Sequence, residues 1–129
     1  EVMSAAQRVA TEQFKVIEHL AQTESCVIVG RCSNYILRDH NNVVNVFIYA
    51  QMKEKIARAV KYYNLKEKKA KEMIEKIDKQ RASYFNFFTN MKWGRRENYD
   101  LCINSSIGIE ECTDLIIQYL KYRFPNENI

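Results

Sequence analysis

Apolar residues recur along this chain in two rhythms, stripes at helical spacing and short unbroken runs. From residue 2 to about 22, Val9, Phe14, Ile17, Leu20 and Ala21 keep helical spacing, which predicts one amphipathic helix with that stripe turned inward. The run Cys26-Val27-Ile28-Val29-Gly30 is short, β-branched and closed by glycine, and predicts a strand buried on both faces. A short helix is expected over 34–39, with Tyr35, Ile36 and Leu37 as its apolar content. Asn41-Asn42 signals a turn, and the apolar run over 43–49 predicts a second strand.

Helical spacing returns at Met52, Ile56, Ala59, Val60 and Tyr63, predicting a helix over about 51–63 that Asn64 interrupts. A longer helix follows, with Ala70, Met73, Ile74 and Ile77 on one face and Tyr84, Phe85 and Phe88 further along. Trp93-Gly94-Arg95-Arg96 reads as a loop and 99–104 as a third strand. Residues 109–122, with Leu115, Ile116 and Leu120, form a closing helix that Pro125 terminates. Strands alternating with helices predict an α/β domain built on a parallel sheet. No linker or repeat divides residues 1–129, so a single domain is expected, long enough to bury a core.

Composition narrows the class. An apolar fraction of 47% and a charged fraction of 28% are those of a globular protein. No apolar stretch reaches the roughly 20 residues that span a bilayer, so no membrane partner is expected. The first residues lack the basic and apolar regions of a signal peptide, and position 1 is not Met, which suggests a portion of a longer protein. Cys26, Cys32, Cys102 and Cys112 form no Cys-x-x-Cys pair, and neither His19 nor His40 stands at zinc-finger spacing from them. Cys26 and Cys102 fall in predicted buried strands. Reduced core thiols, a cytoplasmic location and no metal ligands are the expectation.

Charge is unevenly spread. Residues 53–81 hold eleven Lys or Arg against five Asp or Glu, an excess of +6 in a chain whose net charge is +4, so the rest carries −2. A basic segment on a near-neutral body suits a polyanion. For Lys66-Glu67-Lys68-Lys69 a solvated helical face is the better reading, since Glu67 and Lys71 stand at i and i+4. Tyr84, Phe85, Phe87, Phe88 and Trp93 lie beside this segment. Single-strand nucleic-acid binders combine the same residue types. The helical spacing of these aromatics favours core packing, and nucleic acid ranks below nucleotides as a partner.

Three features carry candidate chemistry. Arg31 directly follows the strand predicted at 26–30, and ligands of open α/β sheets collect at the carboxyl ends of strands. A guanidinium there suits a phosphate, which it grips through two parallel hydrogen bonds, or else it caps the strand and pairs with an acid. Cys32 beside it invites an activated-thiol reading, but no base accompanies it. On the long helix, the inward series that includes Ala70, Met73 and Ile77 next reaches Arg81, and Asp78 stands one turn before it. The pair is either a self-contained ion bridge or a device that reaches over a bound nucleotide. Asn104-Ser105-Ser106 ends the third strand, placed either to contact a base or ribose or to cap the following helix.

The ordered set Cys26-Val27-Ile28-Val29-Gly30-Arg31-Cys32, Tyr35-Ile36-Leu37, Asp78-Lys79-Gln80-Arg81 with Tyr84, Trp93-Gly94 and 98–106 resembles the cytidylate kinase-like family, relatives of cytidylate kinase among the P-loop nucleoside monophosphate kinases. The similarity runs from about Gln13 to the C-terminus. It implies a three-layer α/β/α parallel sheet with a helical lid over about 64–96. It also implies transfer of the ATP γ-phosphate to a nucleoside monophosphate, with Mg²⁺. By that resemblance Arg31 binds the acceptor phosphate, Asp78 and Arg81 contact the acceptor nucleoside, Arg31 and Arg81 serve transfer, and Asn104, Ser105 and Ser106 lie near the ATP base.

Two departures stand out. Cytidylate kinases have Asp after the strand arginine, where this chain has Cys32, which leaves the acceptor base open. None of Gly30, Gly94 and Gly108 precedes a Lys-Ser or Lys-Thr pair, so residues 1–129 contain no phosphate loop. The family's phosphate-loop strand would lie between the strands at 26–30 and 43–49. The leading expectation is therefore a kinase of CMP or dCMP type whose residues 1–129 alone are inactive. The alternative is a non-catalytic nucleotide-binding or interaction module on the same scaffold. Self-association is also expected, through apolar surface on the first helix.

Overall fold

A computed structural model describes residues 2–129. Helix α1 spans Ala5–Thr23, α2 Ser33–Ile36, α3 Met52–Tyr63, α4 Glu67–Thr89 and α5 Ile109–Arg123; strands β1, Val46–Tyr49, and β2, Leu101–Asn104, pair in parallel. The class is mixed α/β, with five helices around a small parallel sheet among the described residues. Parallel neighbours cannot be joined by a tight turn, and the α3–α4 hairpin supplies the long crossover between them.

Local chemistry sets the helix ends. Ser4 begins α1 with a capping box: its hydroxyl accepts from the Gln7 amide at 3.2 Å, and Gln7 Oε1 accepts from the Ser4 amide at 2.8 Å. Asn64 ends α3 with φ +51° and Asn90 ends α4 with φ +54°, left-handed positions that asparagine tolerates better than most residues. The turn after Asn64 folds α4 back along α3, and α5 stops at Arg123, two residues before Pro125.

The strand expected at 26–30 does not form. No backbone hydrogen bond ties residues 26–29 to either strand, Val27 and Val29 are 94% and 88% exposed, and Cys26 is exposed as well. A strand is defined by its neighbour, and β-branched composition alone does not create one. The other two strands are shorter than expected but keep their places.

Several residues expected inward face water. Val9 is exposed and Ala10 takes its place among the buried residues of α1, while Ile17 is buried and Phe14, Leu20 and Ala21 are partly buried as expected. Tyr63 and Leu115 are likewise exposed. Cys32 and Cys112 are the buried thiols, and Cys102 lies on the open side of the sheet. Glu67 and Lys71 form no ion pair among the described residues.

Aromatic contacts join the pieces. Phe14 of α1 meets Phe88 of α4 edge-on, with ring centroids 5.5 Å apart. Phe47 of β1 packs against Trp93 at 5.6 Å and Tyr99 at 4.9 Å. Gly94, at φ +77°, lies against the Phe47 ring: a Cβ there would sit 3.4 Å from Phe47 Cζ. Trp93 and Gly94 therefore pack against β1, whereas Phe87, expected in the core with the other aromatics, is 67% exposed.

Candidate functional site

Gly30, Arg31 and Cys32 have φ of +69°, +56° and +60°, three left-handed residues in succession. Only the first is a glycine, so the turn carries backbone strain of about 1–3 kcal/mol at each of the other two. Since residues 26–30 are not in the sheet, Arg31 does not stand at the end of a strand. Its guanidinium instead lies 5.3 Å from the centre of the Tyr84 ring, a cation–π contact with α4. The same side chain lines a largely apolar groove along α1 together with Val9, Val16, Ile17 and Ile28.

Burial pushes the Cys32 thiol up to about 11, and the charge of Arg31 offsets only part of that rise. Near neutral pH this thiol is protonated, which removes the activated-nucleophile reading. Burial also raises the Tyr99 phenol, opposed by a hydrogen bond with the Gly94 backbone. Cys26 and Cys102 are exposed.

Asp78 and Arg81 do meet: Arg81 Nη1 donates to Asp78 Oδ1 at 3.4 Å. The pair is not self-contained, because Lys55 of α3 donates to Asp78 Oδ2 at 2.7 Å. The lysine contact is shorter and better shielded, with side-chain exposures of 31% for Lys55, 23% for Asp78 and 63% for Arg81. Arg81 was expected on the apolar face; its long stem instead carries the charge into water. Tyr84 stands one turn beyond Arg81, so α4 carries Asp78, Arg81 and Tyr84 along one side, with Arg31 brought in on top of Tyr84. The Tyr84 hydroxyl is buried with no hydrogen-bond partner among the described residues.

Asn104, Ser105 and Ser106 follow β2. The Asn104 carboxamide accepts from the Ser106 amide at 3.1 Å, capping the short 3-10 turn Ser105–Ile107 and not α5, whose N-terminus at Gly108 has no side-chain cap. Ser105 Oγ donates to the Tyr49 carbonyl at 3.2 Å, joining the carboxyl ends of the two strands, and accepts from Arg58 Nη2 at 3.3 Å. Among the described residues no hydrogen bond or ion pair joins this cluster to Arg31 or Asp78. The link is α3, where Lys55 meets Asp78 and Arg58 meets Ser105 three residues later. Lys55 and Arg58 escape sequence reasoning because their partners lie 23 and 47 residues away. Their i, i+3 spacing on a helix leaving β1 was the only available signal.

Residues 2–107 match the cytidylate kinase-like family. The chain belongs to that family. Among solved structures it resembles an uncharacterized protein from Eubacterium ventriosum, with 36% identity and a TM-score of 0.85 over 93% of this chain and 69% of that one. No curated protein matches significantly. No helix is long and apolar enough to cross a membrane among the described residues.

Proposed function

We propose that the complete protein transfers the γ-phosphate of ATP to a nucleoside monophosphate of CMP or dCMP type. The observation that carries this reading is the convergence on α4, where the Asp78–Arg81 pair and the Arg31-bearing Tyr84 lie along one side. Arg31 binds the acceptor phosphate, Asp78 accepts from the acceptor nucleoside, and Arg81 donates to its base or phosphate. Asn104, Ser105 and Ser106 lie near the ATP base, with Arg58 held beside them. In the transfer, an acceptor phosphate oxygen bonds to the γ-phosphorus, the bond to the β–γ bridging oxygen breaks, and ADP leaves. Such a reaction needs positioning and charge neutralisation more than covalent chemistry, and arginines supply both.

The family implies Mg²⁺, but the described residues do not by themselves make its site. No three His, Cys, Asp or Glu side chains among them group around a common point, and both oxygens of Asp78 are engaged by cations. In this reading residues 1–129 are one α/β domain with a lid over about 64–96. Its three-layer sheet is completed by a strand and phosphate loop outside these residues. That strand would cover the exposed side of 26–30. A second reading, on the same scaffold, is a nucleotide-binding module without turnover.

A coupled assay of ADP release by the full-length protein, with CMP, dCMP and UMP in turn, tests the proposal. Turnover is expected with at least one pyrimidine monophosphate, and none from residues 1–129 alone. Binding of ATP and CMP without ADP release would establish the second reading; absence of both binding and turnover would refute the two together.

A further inference from the structure

Asp78 is held from two sides, and the two holds differ in kind. The contact with Arg81 is local, one turn along the same helix, at 3.4 Å and with the guanidinium mostly in water. The contact with Lys55 is between helices, at 2.7 Å, with both partners more than two-thirds buried. A charge-assisted hydrogen bond gains strength as water is excluded, so the lysine sets the orientation of the carboxylate. Arg81 can then leave Asp78 for a ligand without releasing it.

The position of Lys55 adds a second consequence. Helix α3 starts three residues after β1 ends, so its first turns are anchored to the sheet. Helix α4 returns after the left-handed turn at Asn64, and the Lys55–Asp78 bond spans the two arms of that hairpin. It is the ion pair among the described residues that joins two different helices. We propose that Lys55 is a positioning residue for the acceptor nucleotide: its ammonium fixes Asp78 and the lid helix against α3, leaving Arg81 free to engage the acceptor. This role rests on the kinase reading above.

The test is steady-state kinetics of the full-length protein with Lys55→Met, Lys55→Arg and Asp78→Asn. Lys55→Met is expected to raise KM for CMP about tenfold, the worth of one charge-assisted hydrogen bond, while KM for ATP stays within about twofold. Asp78→Asn should raise the same KM, and combining it with Lys55→Met should add little further. Lys55→Arg should restore most of the loss, and thermal midpoints report whether each variant is folded. An unchanged KM for CMP in Lys55→Met overturns the inference while leaving the kinase reading intact. Equal damage to both KM values, unrescued by arginine, also overturns it, since that marks general loss of lid structure. Wild-type protein without turnover on any nucleoside monophosphate refutes the kinase reading and this role with it.

Discussion

Tyr84→Phe should make the protein more stable. The substitution keeps the ring and removes only the hydroxyl, which is buried and has no partner among the described residues. A buried polar group denied both water and a protein partner costs about 1–3 kcal/mol. Two considerations reduce the gain. Tyr84 as a residue is only half-buried, and phenylalanine offers Arg31, at 5.3 Å, a slightly weaker ring face. The net expectation is a gain of about 1 kcal/mol, which for a domain of this size raises the thermal midpoint by about 3–5 °C. Tyr84→Ala should move the other way: it removes a ring packed at 4.7 Å on Phe88, at a cost of about 2–4 kcal/mol. Urea denaturation with matched m-values, on wild type and both variants, measures these differences. A Tyr84→Phe variant less stable than wild type by about 0.5 kcal/mol or more would refute the reasoning, because the hydroxyl would then be making a hydrogen bond.

Other outcomes follow from the same geometry. Gly94→Ala should cost about 1–3 kcal/mol, since alanine is strained at φ +77°; a variant as stable as wild type in denaturation would contradict this. Ser4→Ala should cost about 1 kcal/mol by breaking the capping box of α1, seen as earlier fraying of that helix in hydrogen exchange. Cys32 titrates near 11 in the folded chain but near 9 when unfolded, so the unfolded state loses its proton first as pH rises. Stability should therefore be unaffected by this thiol below pH 9 and fall between about pH 9 and 11, and Cys32→Ala should remove that part of the slope. Iodoacetamide should label Cys26 and Cys102 in the folded protein, and Cys32 and Cys112 only on unfolding.

The helices were legible because their causes are local. The spacing of Met52, Ile56 and Ala59, the asparagine at 64, and Pro125 each act within a turn of the chain. The Asp78–Arg81 contact was legible for the same reason. Residues 26–30 misled because β-branched residues suit a strand without supplying its neighbour, and Val27 and Val29 are left facing water. The errors at Val9 and Leu115 have a related origin: spacing identifies a stripe, but which edge of it is buried depends on the element packed against it. Lys55 and Arg58 were invisible as functional candidates, because a lysine or arginine on a basic helix looks like solvated surface until its partner from another helix or strand is known.

The central claim is that Arg31 grips the phosphate of the acceptor and not that of ATP. Steady-state kinetics of the full-length Arg31→Ala variant test it most directly. Losing a bidentate, charge-assisted contact of about 3 kcal/mol should lower kcat/KM for CMP about a hundredfold, with KM for ATP moved less than about threefold. An Arg31→Ala variant whose kcat/KM for CMP stays within about threefold of wild type would contradict the account.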